Sequence, residues 1–222
     1  KRALMQDFTT VTGIVIKTEP ISEYDKRVVI LTKEKGKISA FAKGCRKPGN
    51  RLMAAANPFS FGEFRLYAGK SSYNIMEANI KNYFDGLRKD FDAAYMGMYF
   101  LEVADYYTRE NLDATELLRL LYQSLRALES GKYDSAFVRM VFEIKSIVIN
   151  GEFPGVPEHK EYLDGTAYAL SYIEKSTIEK LFSFEVSKEV QSELIQIAKI
   201  YCNRFHDKRF ASLDIIEGKN QC

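Results

Sequence analysis

The stretch Val28-Val29-Ile30-Leu31-Thr32-Lys33-Glu34-Lys35-Gly36-Lys37-Ile38-Ser39-Ala40-Phe41-Ala42-Lys43 decides how the first part of the chain folds. Its first five residues suit a strand buried on both faces, and Lys33-Glu34-Lys35-Gly36 is a tight-turn signal. Residues 37–43 then return as a further strand. Period-two alternation puts Lys37, Ser39, Phe41 and Lys43 on one face, with Ile38, Ala40 and Ala42 on the other. The second set is small and apolar, as a tight barrel interior requires. The first offers two cations flanking an aromatic ring, which can follow phosphates while stacking a base.

On the N-terminal side, residues 11–17 are rich in β-branched side chains, and Pro20 breaks that strand. Met5 reads as a natural start and residues 1–4 as a tag remnant. On the C-terminal side, residues 44–50, with Pro48-Gly49, read as a flexible loop. Phe59 and Phe61 share one face of a fourth strand. Phe64, Leu66 and Ala68 continue in the opposite parity, which predicts a bulge at Gly62-Glu63. Residues 73–78 give a fifth strand. Five short strands with a bent middle predict a small barrel, of which the OB-fold is the commonest five-stranded example.

Beyond residue 80 the period changes to that of helices. Leu87, Phe91, Ala94, Met98 and Tyr106 step along one helix, and Asp113-Ala114-Thr115-Glu116 starts a second that Gly131 ends. Asp134 opens a third, stopped by Gly151. An irregular excursion follows at about 151–170, holding Pro154 and Pro157. Ser176-Thr177-Ile178-Glu179 reads as a capping box for a short helix, and Ser187 starts a last long one. The expected fold class is α+β, strands then helices: an OB-fold barrel over 5–80 and an α-helical domain over 81–222.

The 222 residues carry a net charge of only +2. Residues 1–70 nevertheless hold fourteen Lys/Arg against six Asp/Glu, and residues 71–222 hold eighteen against twenty-four. Such asymmetry points to a basic module that meets a polyanion. The cations concentrate in 33–51, where Glu34 is the lone acid. Lys35, Lys37, Phe41, Lys43, Arg46, Lys47 and Arg51 are therefore the candidate nucleic-acid-binding residues. In the acidic, leucine-rich helices, Arg126 and Arg139 are candidates to rim a groove for an acidic-hydrophobic partner peptide.

Catalytic constellations are missing from the sequence. Gly69-Lys70-Ser71 imitates the end of a P-loop, but the glycine required five positions earlier is Phe64. Cys45 reads as a surface cysteine of the basic loop, Cys202 as small and buried, and His206 as a helix-end cation. His159 has too few neighbours of ligand type for a metal site. No run approaches the ~20 apolar residues of a membrane span, and no signal peptide opens the chain, so a cytoplasmic protein is expected. The residues alone leave open a DNA-binding mediator, an OB-fold RNA-binding protein and a non-enzymatic interaction adaptor.

Several segments resemble the RecO family of bacterial recombination mediators. They are Gly13-Ile14-Val15-Ile16-Lys17-Thr18, Ser22-Glu23-Tyr24-Asp25, Ala42-Lys43-Gly44-Cys45-Arg46 and Asn57-Pro58-Phe59. Tyr99-Phe100-Leu101-Glu102, Phe142-Glu143 with Gly151 and Pro154, and Lys208-Arg209-Phe210 extend the likeness over nearly the whole chain. The resemblance implies binding of single- and double-stranded DNA, strand annealing and help in loading RecA. It implies as partners RecR and the acidic C-terminal tail of single-stranded DNA-binding protein, and a nucleoid-associated location. Many family members carry a four-cysteine zinc finger in the excursion. Here residues 150–175 contain no cysteine, so no cofactor is expected and Phe153, Tyr162 and Tyr168 are expected to hold that segment by packing.

Overall fold

In the computed structural model, residues 8–69, 72–158 and 161–219 are described. The suspected tag remnant, Lys70-Ser71 and His159 lie outside them. The five strands are β1 (Phe8–Pro20), β2 (Lys26–Thr32), β3 (Gly36–Ala42), β4 (Phe61–Ala68) and β5 (Tyr73–Asn82). They close in the order β1-β2-β3-β5-β4, with β4 returning to β1. Every pairing is antiparallel except β3 with β5, which meet in parallel through Ala40 opposite Tyr73 and Phe41 opposite Asn74. This is the expected five-stranded OB-fold arrangement.

The alternation in β3 is observed: Ile38, Ala40 and Ala42 are buried, while Lys37 and Phe41 are half-buried and Ser39 is exposed. Val11, Val15, Val28, Ile30, Phe64 and Leu66 fill the interior with them. Small residues let the strands cross closely. Gly13 faces Gly62, and a Cβ on Gly62 would lie 2.2 Å from the Asn79 carbonyl oxygen.

The expected bulge at Gly62-Glu63 is corrected. Gly62 and Glu63 pair in step with Gly13 and Thr12 on β1. The extra residues sit on β5, where the register jumps past Met76 and past Lys81, and on β1 at Ile16. On this regular strand Phe61 faces outward and Phe64 and Leu66 face inward, while Phe59 lies before the strand at φ 73°.

The helices are α1 (Phe91–Tyr107), α2 (Thr115–Ser130), α3 (Ser135–Ile149), α4 (Asp164–Lys175), α5 (Lys188–Phe205) and α6 (Ala211–Lys219). The predicted caps are present at Asp134, which accepts from the Ala136 N–H, and at Ser187, which accepts from Val190. The Ser176–Glu179 box opens only a three-residue turn, Ile178–Lys180, without a side-chain cap. The irregular excursion expected at about 151–170 is shorter, because α4 begins at Asp164. Helices α4 and α6 escape the sequence reading because Gly165, Gly218 and a scatter of polar residues obscure their period.

Two compact units result. The first joins the residues up to Asp85 with Leu101–Leu118; the second joins Gly86–Phe100 with the chain from Arg119 on. In the first, the segment after α1 docks on the β2–β3 turn. The Lys37 N–H donates to the Arg109 carbonyl and the Asn111 N–H to that of Lys35. Gly36 is required there: φ is +64°, and a Cβ would lie 2.4 Å from the Leu112 carbonyl oxygen. In the second, α3 is the central helix, buried from Met140 to Ile147. Its Lys145 ammonium receives the C-terminal carbonyls of α4, donating to Ile173, Glu174 and Ser176.

Candidate nucleic-acid interface

Residues 43–60 connect β3 to β4 through a series of hydrogen-bonded turns. Lys47 N–H donates to Gly44, Asn50 to Lys47, Met53 to Asn50 and Ala56 to Leu52. Three side chains of this segment turn inward: Cys45, Leu52 and Ala56 belong to the barrel core. Lys43, Arg46, Lys47 and Arg51 consequently face outward and are exposed. The loop expected at 44–50 is a run of turns that carries its cations on the solvent side. Cys45, expected at the surface, is 2% exposed, and burial pushes its thiol up, away from reactive thiolate.

The β1–β2 turn lies beside this ridge. Arg46 N–H donates to the Tyr24 carbonyl, and the Arg46 guanidinium donates to that of Ser22. The Lys47 ammonium stands 5.2 Å from the centre of the exposed Tyr24 ring. Asp25 accepts the Gly44 N–H at 2.7 Å. That bond, with Ser22, Lys43 and Lys47 adding, holds the Asp25 carboxyl below the ordinary aspartate range. Tyr24 was missed as a site residue; an aromatic ring in an otherwise polar turn was its one signal.

The seven candidates do not form one patch. Lys43, Arg46, Lys47 and Arg51 come together; Phe41, on β3 two residues before Lys43, is half-buried. Lys37 lies six residues back along β3, roughly 20 Å away. Its ammonium is paired with the Asp105 carboxylate at 2.7 Å and also donates to the Asp105 carbonyl, so it offers no free charge. Lys35 sits on the docked hairpin turn, 5.8 Å from the centre of the Tyr73 ring.

In the helical unit, Arg126 is exposed on α2. Arg139 is not the open rim cation the sequence implies. It is paired with Glu143 at 2.8 Å and with Glu217 at 3.1 Å, and stacks over Tyr99. Tyr99 O–H donates to Glu143 in turn, which makes a buried polar cluster. A cavity of about 730 Å³ lies beside it, among Tyr99, His206, Phe210 and Leu213, with Lys208 and Arg209 at its border.

The zinc finger of the resembling family does not fit these residues. Among the described residues, no three His, Cys, Asp or Glu side chains stand together as a metal site. The Phe153 ring instead packs edge-on against Tyr201, whose O–H donates to the Gly155 carbonyl. Tyr162 is half-buried, but Tyr168 is 76% exposed and contributes no packing there. No helix among the described residues is long and apolar enough to cross a membrane.

Comparison with known proteins places this geometry in a family. Residues 5–84 match the profile described as Recombination protein O N terminal, and residues 88–156 match Recombination protein O C terminal. A DNA repair protein RecO of Acetivibrio thermocellus is 29% identical, covering 95% of this chain and 97% of its own. That of Clostridium novyi is 27% identical, covering 91% of each. That of Caldicellulosiruptor bescii is 35% identical over 64% of this chain and 57% of its own. With both profiles matched in order over residues 5–156 and the barrel closed as an OB-fold, the chain belongs to the RecO family.

Proposed function

We propose that this protein is a non-enzymatic DNA repair and recombination mediator that binds single- and double-stranded DNA without sequence specificity. The observation that carries the reading is the ridge of Lys43, Arg46, Lys47 and Arg51, pointed outward by a segment whose other side chains plug the barrel. Cations already placed by a hydrogen-bonded segment bind phosphates at a lower ordering cost, and release of condensed counterions supplies the affinity. Two strands neutralised on one positive surface lose their mutual repulsion, which favours annealing. The helical unit would receive partner proteins, the acidic tail of single-stranded DNA-binding protein and RecR, and so help load RecA. Lys208 and Arg209 beside the cavity, with exposed Arg126, supply charge suited to such a tail. The excursion is held without zinc, and the protein works in the cytoplasm, where DNA is its substrate.

The test is a salt titration of binding to a single-stranded oligonucleotide. Replacing Lys43, Arg46 and Lys47 by Ala together flattens the dependence of log K on log salt by about 2, for three lost phosphate contacts at ~0.7 each. The loss is equal across sequences. An unchanged slope in a folded triple variant rejects the assignment. Preference for a matched RNA strand would point instead to an RNA-binding role.

A further inference from the structure

Phe41 and Asn74 are register partners where β3 and β5 meet to close the barrel. Paired residues of neighbouring strands project to the same side, on backbones about 4.8 Å apart. Both side chains therefore stand on the outer face, opposite the buried Ala40 and Ile75. Two residues on, Met76 is the bulge residue of β5: Ile75 opposes Leu66 and Glu77 opposes Arg65, which leaves Met76 without a partner on β4. Met76 faces outward and is 51% exposed.

Beside Asn74 and Met76 runs a groove of about 370 Å³. Lys43, Asn50 and Arg51 border one side, Asn74, Ile75 and Met76 the other. Asn74 Oδ1 is shut off from water and accepts no hydrogen bond from any described residue. A buried acceptor without a donor is unfavourable and rare in a settled fold. Here it belongs to a side chain that borders an open groove, so a ligand N–H can relieve it after a turn about the Asn74 side-chain torsions.

We infer that this groove takes one unpaired base of a single strand. Met76 supplies an apolar contact, while Lys43 and Arg51 hold the flanking phosphates. Phe41, the register partner of Asn74, stands outside the groove lining. The Asn74 amide reads the base edge: Oδ1 accepts a ring or exocyclic N–H, and Nδ2 donates to a ring nitrogen or carbonyl. Every base carries both kinds of group on its pairing edge, so the groove does not choose among bases. It chooses unpaired over paired ones, because in a duplex those edges are occupied. The inference rests on the DNA-binding reading and deepens it, since the ridge by itself does not separate single strands from duplex.

The experiment uses the full chain with three probes: a mixed-sequence single strand, the same strand with abasic sites throughout, and its duplex. Asn74→Ala weakens the intact single strand by about three- to tenfold, the range of one lost hydrogen bond. It leaves the duplex, the abasic strand and the salt slope unchanged. Asn74→Leu, close in shape and free of the orphaned oxygen, gives the same loss of single-strand preference while raising Tm. An equal loss on duplex or abasic strand, no loss at all, or a lowered Tm in the Leu variant overturns the inference. Wild-type protein that binds none of the probes overturns the DNA-binding reading itself, which keeps the two failures apart.

Discussion

The Lys37 ammonium lies 2.7 Å from the Asp105 carboxylate, joining β3 to the end of α1 across 68 positions of sequence. Both side chains are partly buried, so the pair is shielded from the screening that weakens exposed ion pairs. Its work is structural. Lys37→Ala is expected to cost about 1 kcal/mol of stability in chemical denaturation while leaving DNA affinity within about twofold. Lys43→Ala, on the exposed ridge, does the reverse: stability holds, and single strands and duplex are weakened alike.

Asp25 is an acid set among the ridge cations, and Asp25→Asn isolates its charge. The amide oxygen still accepts the Gly44 N–H, so the turn keeps its geometry. The field around Lys43 and Lys47 becomes more positive, and DNA binding tightens about two- to threefold at low salt, less at high salt. The folded state holds the Asp25 carboxyl below its unfolded value. The wild-type protein is therefore stabilised by this group above the ordinary aspartate range and loses that stabilisation as pH falls. The Asn variant lacks that acid-side loss, which thermal melts between pH 6 and pH 3 will register.

Arg139 holds the polar cluster of the helical unit. Removing it leaves Glu143, whose side chain is 4% exposed, as a buried charge without its cation. Arg139→Ala is expected to cost about 3–5 kcal/mol. Arg139→Met combined with Glu143→Leu removes both charges and keeps the volume, and recovers only part of that loss because the buried Tyr99 hydroxyl then lacks its acceptor. Urea denaturation of the single and double variants measures the difference.

The excursion after α3 stands on Phe153 and Tyr201. Phe153→Ala removes the edge-on ring contact and is expected to make 151–163 a site of rapid proteolytic cleavage, with the rest of the helical unit intact. A strong chelator leaves the Tm of the wild-type protein unchanged. Metal analysis that finds one tightly bound zinc per chain would refute this account.

Much of the barrel is legible without coordinates because its information is local. The alternation of Ile38, Ala40 and Ala42 against Lys37, Phe41 and Lys43 names the inner face of β3 directly. Helix α5 is equally plain: the Ser187 cap and the stripe of Val190, Leu194, Ile197 and Tyr201 are written at helical spacing. The candidate site is less legible. Lys37 and Lys43 look alike in sequence, yet one is paired with a carboxylate 68 residues away and the other is exposed. Cys45 reads as a surface residue because its neighbours are charged, and only the plugging of the barrel by 43–60 buries it.

Composition and periodicity by themselves determined that a basic five-stranded head precedes an acidic helical part, and that the cations gather around one strand and the segment after it. Those features depend on neighbours within a few residues, where side-chain period and turn chemistry act. Closure of the barrel decided the rest: which cations remain free, which side of the 43–60 segment faces water, and that Phe41 and Asn74 share a face. These are matters of contact between residues distant in sequence, and a charge or an amide carries no local mark of the partner it will meet.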